Sequence, residues 1–465
     1  MNRTKRLAAL GCAAAAACIG VVVLSRIQTT QDAIRESGEV VLSIDPETVQ
    51  SVSWEYGNNS YAFHRDGDWV YDADTAFPVD PEKMDQLLSP FEAMGAAFII
   101  EEPASLSEYG LDDPVCTIEL TTEGGDYTIL LGDYSTMDEQ RYVSIGDGKV
   151  YLAVSDPLDE FDTTLADLIQ NDAVPDFETV TAVTFSGAEN YSFTLEENGT
   201  SYRDEDRYFA DGLPLDTDRV EDYLLILKNL RLNGYVTYNA TEEEIAGCGL
   251  DSPDLTITVD YTETAEDGTS EEKSFAIALA RDPEEAAAAE SGGTGSGTSS
   301  GEETVTAYAR VGDSPILYQI DGSSYLSLMA AGISDLRHQE IFPAETENIA
   351  ALSVTLQGQT YSLTSEGDGE ERTFSYDGEE IDAGDLLQAM GALEADAFTG
   401  DDPTGTEEIS LTATLDLEGG PEVSLSLYRV DGSNCLAVVD GTSVALVPRT
   451  QVVTLIEAVN AIVLG

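Results

Sequence analysis

Basic residues are scarce in this chain of 465 residues. It has 21 lysines and arginines against 89 aspartates and glutamates, which gives a formal net charge of −68 at pH 7. Four of the basic residues lie in the first 26 positions, which hold no acidic residue. The rest of the chain therefore carries an even more negative net charge. A surface this acidic repels phosphate backbones and anionic lipid headgroups. The composition therefore argues against nucleic-acid binding and against electrostatic adsorption to a membrane surface.

Histidine and cysteine are also rare, which limits the available chemistry. Neither His64 nor His338 has a second histidine or a cysteine at metal-ligand spacing, so we expect both to be ordinary surface or strand residues. Three cysteines lie beyond the first 26 residues: Cys116, Cys248 and Cys435. Their odd number and wide spacing do not fit a disulfide-stapled domain. We expect them to be small buried apolar residues.

Motifs that would identify an enzyme are missing from the sequence. It has no glycine–lysine loop for phosphate and no dinucleotide fingerprint. A single Gly-x-Ser-x-Gly match, at residues 297–301, lies in a segment rich in Ala, Gly, Ser and Thr rather than at a strand-to-helix elbow. Close carboxylate pairs arise by chance among 89 acids, so they identify no glycosidase. We predict no catalytic residue and no cofactor.

The amino terminus has the pattern of an export segment. Residues 1–6 are basic, and residues 7–24 form an unbroken run of 18 apolar or small residues, the lower limit for crossing a hydrocarbon core of about 30 Å. Positive charge before this run and an acidic chain after it place the body outside the cytoplasm. We predict an uncleaved single-pass anchor in the cell membrane. The alternatives are a cleaved signal peptide and lipoprotein processing at Cys12 or Cys18, each of which also exports the body.

One strand pattern occurs three times along the chain. Each copy begins with glutamate and continues in period-two alternation, which is typical of a half-buried strand, and a second alternating strand follows. Three copies of one opening predict three modules. The opening strands lie at residues 47–54, 178–185 and 347–354, and the second strands at 61–63, 191–193 and 361–363.

Each copy continues with a helix start. Asp80, Asp216 and Asp382 can each cap the free N–H groups of a first helical turn. Apolar residues then recur at spacings of three and four, which predicts a helical face packed on a sheet, and Pro90 should kink the first helix or end it early. The predicted faces are Met84, Leu87, Leu88 and Phe91; Val220, Tyr223, Leu224 and Leu227; and Leu386, Ala389, Met390 and Leu393.

The remaining strands are joined by short Gly- and Asp-rich turns, which indicates antiparallel meanders with a closing helical segment. We therefore predict an α+β fold of three tandem modules of antiparallel strands packed with helices, preceded by one N-terminal transmembrane helix. The predicted boundaries are an anchor at 1–26, a linker at 27–46, and modules at 47–175, 176–344 and 345–465, with a flexible insertion at 284–303 and a degenerate third module.

The sharpest recurring motif is a Gly-Leu-Asp box before a strand in the first two copies. Tyr109, Asp112 and Asp113 could form a recognition surface. We favour a structural role, in which the glycines take a positive φ, the leucines enter the core, and Asp112 and Asp251 bond their own turns before a proline. The boxes comprise Tyr109, Gly110, Leu111, Asp112, Asp113 and Pro114, and then Gly249, Leu250, Asp251 and Pro253.

Several of these features together resemble the family of domain of unknown function 4340: Trp69, the Pro-x-Asp helix start at 78–80, the box at 109–114, Leu131–Gly132 and the Val-Tyr-Leu strand at 150–152. The resemblance is best over 47–170 and weaker over 178–340, where Cys248 and Ser252 replace box residues. In the third copy only residues 401–403 remain. The family implies no established activity, although some members resemble or accompany components of ABC-type export and gliding-associated systems.

The sequence thus predicts a membrane-anchored extracytoplasmic binding or accessory protein, with an ABC-type or other envelope protein as its partner. One alternative is an exported hydrolase of wall or glycan polymers that acts through carboxylates. Another is a surface scaffold stabilised by weak calcium binding. The acidic loops at 66–68, 204–206 and 401–402 offer the oxygen ligands that calcium prefers, although solvated charge explains them equally well.

Overall fold

The computed structural model describes residues 39–196, 199, 201–265, 268–291, 305–367 and 372–464. The predicted anchor at 1–26 and residues 292–303 of the predicted insertion lie outside these ranges. The chain divides into two compact units. Unit 1 contains residues 39–172 together with Thr237–Ala240, and unit 2 contains Ala173–Val236 and the residues from Thr241 onward.

The first antiparallel sheet has nine strands. Their order across the sheet is β1-β5-β9-β8-β7-β6-β2-β3-β4. The strands are β1 Glu39–Leu42, β2 Val49–Tyr56, β3 Asn59–Asp66, β4 Asp68–Tyr71, β5 Met94–Ile100, β6 Cys116–Thr122, β7 Gly125–Ser135, β8 Gln140–Ser144 and β9 Val150–Ala153.

Two further nine-stranded sheets follow along the chain, and their strands also pair antiparallel. The second contains β10 Thr179–Gly187, β11 Asn190–Leu195, β12 Tyr208–Ala210, β13 Leu213–Pro214, β14 Tyr235–Thr237, β15 Leu255–Thr264, β16 Ser270–Arg281, β17 Ala307–Val311 and β18 Leu317–Ile320. The third contains β19 Ile349–Leu356, β20 Gln359–Glu366, β21 Thr373–Tyr376, β22 Glu379–Ile381, β23 Ala397–Phe398, β24 Thr406–Leu415, β25 Glu422–Arg429, β26 Asn434–Val439 and β27 Thr442–Pro448.

The helices of the described residues are mostly short. One helix in each copy follows the first few strands, and others close the copies. They are α1 Pro81–Leu88, α2 Leu158–Phe161, α3 Thr217–Lys228, α4 Glu242–Gly247, α5 Pro283–Ser291, α6 Gly322–Met329, α7 Ile333–Leu336, α8 Gly384–Gly391 and α9 Arg449–Leu464.

The three sheets share one strand order. The first contains the run β4-β3-β2-β6-β7-β8-β9-β5, the second β12-β11-β10-β15-β16-β17-β18-β14, and the third β21-β20-β19-β24-β25-β26-β27-β23. Strand β1 extends one edge of this run in the first sheet, whereas β13 and β22 extend the opposite edge in the other two. The same eight-strand connectivity therefore occurs three times, as the repeated opening strand predicts.

The register of the opening strands agrees as closely as their order. Trp54 pairs with Tyr61, Phe185 with Tyr191, and Val354 with Tyr361. On the other side, each opening strand shifts register where it pairs with the strand after the box, at the residue four positions before Trp54, Phe185 or Val354. A bulge displaces one residue and bends the strand, so a bulge at the same position in three sheets indicates one shared local geometry.

The predicted helical faces are confirmed, because all twelve of their residues are buried. Asp80 and Asp216 cap α1 and α3, each accepting two backbone N–H bonds from the first turn. The third cap is shifted by one residue. Helix α8 begins at Gly384 after Ala383, although the Asp382 carboxylate still accepts the Gly384 N–H at 3.0 Å. Helix α1 ends at Leu88, before Pro90, as expected.

The predicted α+β class is wrong, since the described residues form three large sheets with few and short helices and the fold is mainly β. The error comes from the strands that carry no alternation signal. Strands β14 and β23 have only three and two residues, and each lies at the edge of its sheet. Strand β5 holds the equivalent position in the first sheet, where β1 pairs outside it. Strand β24 was missed because the third copy lacks the box that marks the strand in the other two.

Other sequence expectations also need correction. Strand β1 lies within the predicted linker at 27–46 and pairs with β5. Residues 284–291 of the predicted flexible insertion belong to helix α5. The predicted transmembrane helix falls outside the described residues. Within them, no helix combines the length and the apolar character needed to cross a bilayer.

Candidate functional site

The first Gly-Leu-Asp box ends a short 3-10 helix at Leu106–Tyr109. Gly110 follows in the left-handed region with φ 67°, and the Leu111 N–H donates to the Leu106 carbonyl at 3.0 Å, a Schellman-type closure. Leu111 is buried, and the Tyr109 ring packs edge-on against Tyr142 at 5.0 Å. The backbone and the leucine together fix the entry into β6.

The second box repeats this closure after α4. Gly249 has φ 74°, and the buried Leu250 donates its N–H to the Ile245 carbonyl at 3.0 Å. The positive φ and the buried leucine are therefore found in both boxes. Among the described hydrogen bonds, no N–H or hydroxyl of its own turn donates to the Asp112 or Asp251 carboxylate. Asp254, after the second box, instead accepts the Arg281 N–H at 2.7 Å and the Tyr325 hydroxyl at 2.8 Å.

The predicted solvent-facing residues of the first box do not gather into a cleft. Asp112 and Asp113 are exposed, and the prolines that end the two boxes, Pro114 and Pro253, are each partly buried. No hydroxyl, thiol or imidazole that could act as a nucleophile or base is placed against them within the described contacts. The boxes therefore supply geometry for the sheet, and the structure offers a different candidate site.

The three cysteines are free thiols buried in the core, as the sequence predicts. Burial raises the pKa of Cys116 to about 12 and that of Cys435 to about 11. Cys248 also has a raised pKa, again chiefly through burial. Because the thiolate is the nucleophile and the metal ligand, these residues are poorly suited to either role.

Among the described residues, none of the acidic loops predicted as calcium candidates belongs to a metal-binding group. No group of three or more His, Cys, Asp or Glu residues in the described part of the chain is arranged to hold a metal ion. The resolved pKa shifts of carboxyls are downward, as for Asp74, Asp167 and Glu244, because hydroxyl and backbone donors stabilise the ionised form.

A cavity of about 190 Å³ with a mostly apolar lining lies in unit 2. Its walls come from the loop before β12, from the segment after α7, and from strands of the third sheet. Most of its lining is aliphatic or aromatic, with a small polar group on one side. The residues used below are Asp206, Leu213, Arg337, His338, Phe398 and Val444.

Two side chains hold the loop before β12 against the third copy. The Tyr202 hydroxyl donates to the Asp440 carboxylate at 3.0 Å, and the Arg203 guanidinium donates to Glu345 at 2.6 Å. Burial, followed by this hydrogen bond to Asp440, raises the pKa of Tyr202. These contacts fix one wall of the cavity relative to the strands that form the other.

The polar side of the cavity is organised around Asp206, whose side chain is 1% exposed. Its Oδ1 lies 2.7 Å from Nε2 of His338, and its Oδ2 accepts a hydrogen bond from the Ser201 hydroxyl. The other ring nitrogen of His338 lies 3.7 Å from Asp216 and 3.9 Å from Glu340. The buried carboxylate thus has two donors, which a buried charge requires.

This arrangement differs from a nucleophilic triad. In a triad, the imidazole lies between the hydroxyl and the acid, so that it can take the hydroxyl proton. Here Asp206 lies in the middle, between Ser201 and His338. The Ser201 hydroxyl is therefore a donor to a carboxylate and is not activated for attack.

Arg337 forms the second polar element of the cavity. Its guanidinium carbon lies 4.0 Å from the centre of the Phe398 ring, in a cation–π contact. Burial lowers the pKa of Arg337. Within the described residues, no carboxylate oxygen lies within 4 Å of its nitrogens.

No sequence pattern identifies this site. His338 was expected to be an ordinary residue, and Arg337 carries no motif. The elements that meet at the cavity lie far apart in the sequence, and no spacing rule brings them together. The one available signal was the rarity of histidine in an acidic chain, which is too weak to select His338 over His64. His64 lies at an exposed position beside Asp72.

A family model for a domain of unknown function, DUF4340, matches residues 69–253 and again residues 210–413. The chain belongs to the DUF4340 family. The two DUF4340 matches begin in β4 and β12, which hold equivalent positions in the first and second sheets, and each match extends into the following copy. The family match therefore follows the same repeat as the fold. No curated protein and no solved structure matches the chain.

Proposed function

We propose that this chain is an exported binding protein, held at the outer face of the cell membrane by its N-terminal segment, that serves as an accessory component of an envelope complex. The observation that carries the binding function is the unit 2 cavity, which has apolar walls and an arginine without a carboxylate partner. Ligand sites are commonly concave and mostly apolar, with a few placed polar groups.

The hydrolase alternative is less well supported. A glycosidase needs two carboxyls that flank the bond to be cleaved. Asp206 and Glu340 both line the cavity, but Asp206 is already engaged by Ser201 and His338. The geometry therefore favours binding over hydrolysis.

The binding function is tested by closing the cavity. A panel of small apolar and amphipathic compounds is screened by thermal shift against the natural chain and against Val444→Phe and Leu213→Phe, which enlarge lining residues on strands of the third and second sheets. We expect some compounds to stabilise the natural chain and to lose their effect on both variants. Circular dichroism verifies that each variant is folded. An identical response from natural and filled proteins would refute the function.

Location and partnership need a separate experiment. Proteinase K added to intact spheroplasts should digest the acidic body while a cytoplasmic marker survives; a protected body would contradict export. In mild detergent, the tagged chain should copurify with a membrane protein, and an ABC-type permease or ATPase is the partner we propose. Recovery of the chain alone would contradict the accessory role.

A further inference from the structure

Arg337 differs from the other partly buried arginines of unit 2 in what its guanidinium contacts. Arg203, Arg372 and Arg449 each lie within 3.0 Å of a carboxylate oxygen. Arg281 lies 3.9 Å from Glu285, and the Arg310 guanidinium donates to the Ser314 carbonyl at 2.8 Å. The Arg337 guanidinium lies over Phe398 instead. In a chain with 89 acidic residues, a partly buried guanidinium with neither a carboxylate nor a carbonyl partner among the described residues is unexpected.

The carboxylates that share the cavity wall with Arg337 contact other residues. Asp206 contacts Ser201 and His338, and Glu340 lies 3.9 Å from Nδ1 of His338. These carboxylates therefore lie around the His338 imidazole, and neither lies within 4 Å of the Arg337 guanidinium nitrogens. The cavity has one cationic group whose charge the protein itself does not neutralise.

Stacking leaves the edge of the guanidinium available. A cation–π contact uses the face of the planar group, whereas the N–H donors point outward in its plane. That edge matches the two oxygens of a carboxylate in a bidentate pair. Burial penalises the charged form of Arg337 and lowers its pKa, and an anion bound in the cavity would offset that penalty.

The cavity also limits the size of its occupant. Its volume of about 190 Å³ is slightly larger than an apolar protein cavity of roughly 150 Å³ that holds benzene. Most of the lining is aliphatic or aromatic, which favours a ligand with an apolar body over a sugar or a nucleotide. A single ring or a short alkyl chain, with one acidic group at its end, fits both the volume and the lining.

We propose that the unit 2 cavity binds a small carboxylate with an apolar body, whose carboxylate pairs with Arg337 and whose body contacts Phe398 and the aliphatic wall. This inference rests on the proposed binding function and names its ligand class. The carboxylate can belong to a free acid or to the terminal residue of a peptide, since both present the same chemistry to the arginine.

The first experiment compares three probes of one shape by isothermal titration calorimetry with the full chain in detergent. They are 3-phenylpropionate, its neutral primary amide, and 3-phenylpropylamine. We expect the acid to bind roughly tenfold to a hundredfold more tightly than the amide, as a charged hydrogen-bonded pair implies, and the amine to bind most weakly. Equal binding of acid and amide, or tighter binding of the amine, would overturn the proposed ligand class.

The second experiment changes the arginine. Arg337→Gln should reduce affinity for the acid by the same factor and leave affinity for the amide within about twofold, and Arg337→Lys should recover part of the loss. Arg231→Gln is the matched control, because Arg231 is an exposed arginine of the same unit. Loss of acid binding in the Arg231 variant as well would point to general charge and contradict a specific pair.

The third experiment separates the two sources of the carboxylate. N-acetylphenylalanine and a tetrapeptide ending in phenylalanine are titrated alongside the free acid. Because the cavity is small, we expect the free acid to bind and the tetrapeptide to bind at least tenfold more weakly. Tighter binding of the tetrapeptide would assign the site to a peptide terminus and would retain the arginine–carboxylate pair.

Failure of this inference can be told apart from failure of the binding function. If the filled variant Val444→Phe loses binding of the amide or amine while Arg337→Gln changes nothing, the cavity binds a ligand of another class. If Val444→Phe also leaves every probe unaffected, both proposals fail together.

Discussion

Nε2 of His338 lies 2.7 Å from Oδ1 of Asp206, a carboxylate whose side chain is 1% exposed. The contact joins the loop before β12 to the segment after α7 and fixes the polar side of the cavity. His338 itself is 17% exposed, so the pair lies at the edge of the core, where one partner reaches solvent and the other does not.

Removal of the imidazole should be costly. His338→Ala leaves Asp206 buried with one donor fewer, and we expect it to reduce the free energy of unfolding by about 3 kcal/mol. His338→Gln, which retains a side-chain N–H, should cost less. The matched control is His64→Ala, because His64 and Asp72 form an exposed pair with 46% and 47% side-chain exposure and should lose less than about 1 kcal/mol. Urea denaturation provides the measurement. Equal losses at His338 and His64 would contradict the buried pair.

Gly132 tests the close packing of the first box on β7. A methyl group added there would lie 2.2 Å from the Tyr109 carbonyl oxygen and 3.0 Å from carbons of Leu111. Since backbone must move, we expect Gly132→Ala to destabilise unit 1 by about 2 kcal/mol. Gly124→Ala is the control, because its nearest neighbour would be 3.6 Å away and Gly124 has no positive φ. The melting temperatures of the two variants are compared. A Gly132→Ala variant as stable as Gly124→Ala would be inconsistent with this packing.

The buried cysteines should be unreactive in the folded chain. At pH 8 the raised pKa values of about 12 for Cys116 and about 11 for Cys435 leave almost no thiolate. Iodoacetamide followed by peptide mass mapping should therefore find Cys116, Cys248 and Cys435 unmodified until denaturant is added. Met137→Cys supplies an exposed positive control, since Met137 is 84% exposed. Rapid labelling of any of the three core cysteines under native conditions would contradict their burial.

The pKa of Asp74 depends on a hydrogen bond within unit 1. The Tyr238 hydroxyl donates to its carboxylate at 2.7 Å and is the main reason that the pKa of Asp74 lies below its ordinary value. A lowered folded-state pKa stabilises the protein above the unfolded pKa, and this contribution disappears as the pH falls through the folded value. Tyr238→Phe should therefore raise the pKa of Asp74 and lower stability at pH 7 more than at pH 2. Carboxyl NMR titration measures the shift, and an unchanged Asp74 pKa would refute the assignment.

The repeats were predictable because they depend on local chemistry. Period-two alternation placed β2, β10 and β19, and the spacing of apolar residues identified α1, α3 and α8 before any coordinates. The short strands β14 and β23 were not predictable, since two or three residues carry no period and gain their structure from the sheet edge beside them. Because such short strands carry no pattern, the sequence did not predict that strands predominate over helices.

The cavity could not be predicted for a related reason. Arg337 and Phe398 lie on separate elements, and their 4.0 Å contact depends on how the second and third copies pack within unit 2. Sequence patterns identify the residues that each element buries. This site is instead the space that remains between elements after they pack, and no pattern within one element predicts it. The rarity of arginine in an acidic chain becomes informative only after the geometry shows that this arginine lacks a carboxylate.

A crystal structure of the chain with 3-phenylpropionate tests the account most directly. We expect both carboxylate oxygens within about 3 Å of the Arg337 guanidinium nitrogens and the ring of the ligand against Phe398 and Val444. A cavity that stays empty at saturating ligand, or a ligand bound with its carboxylate away from Arg337, would contradict the account.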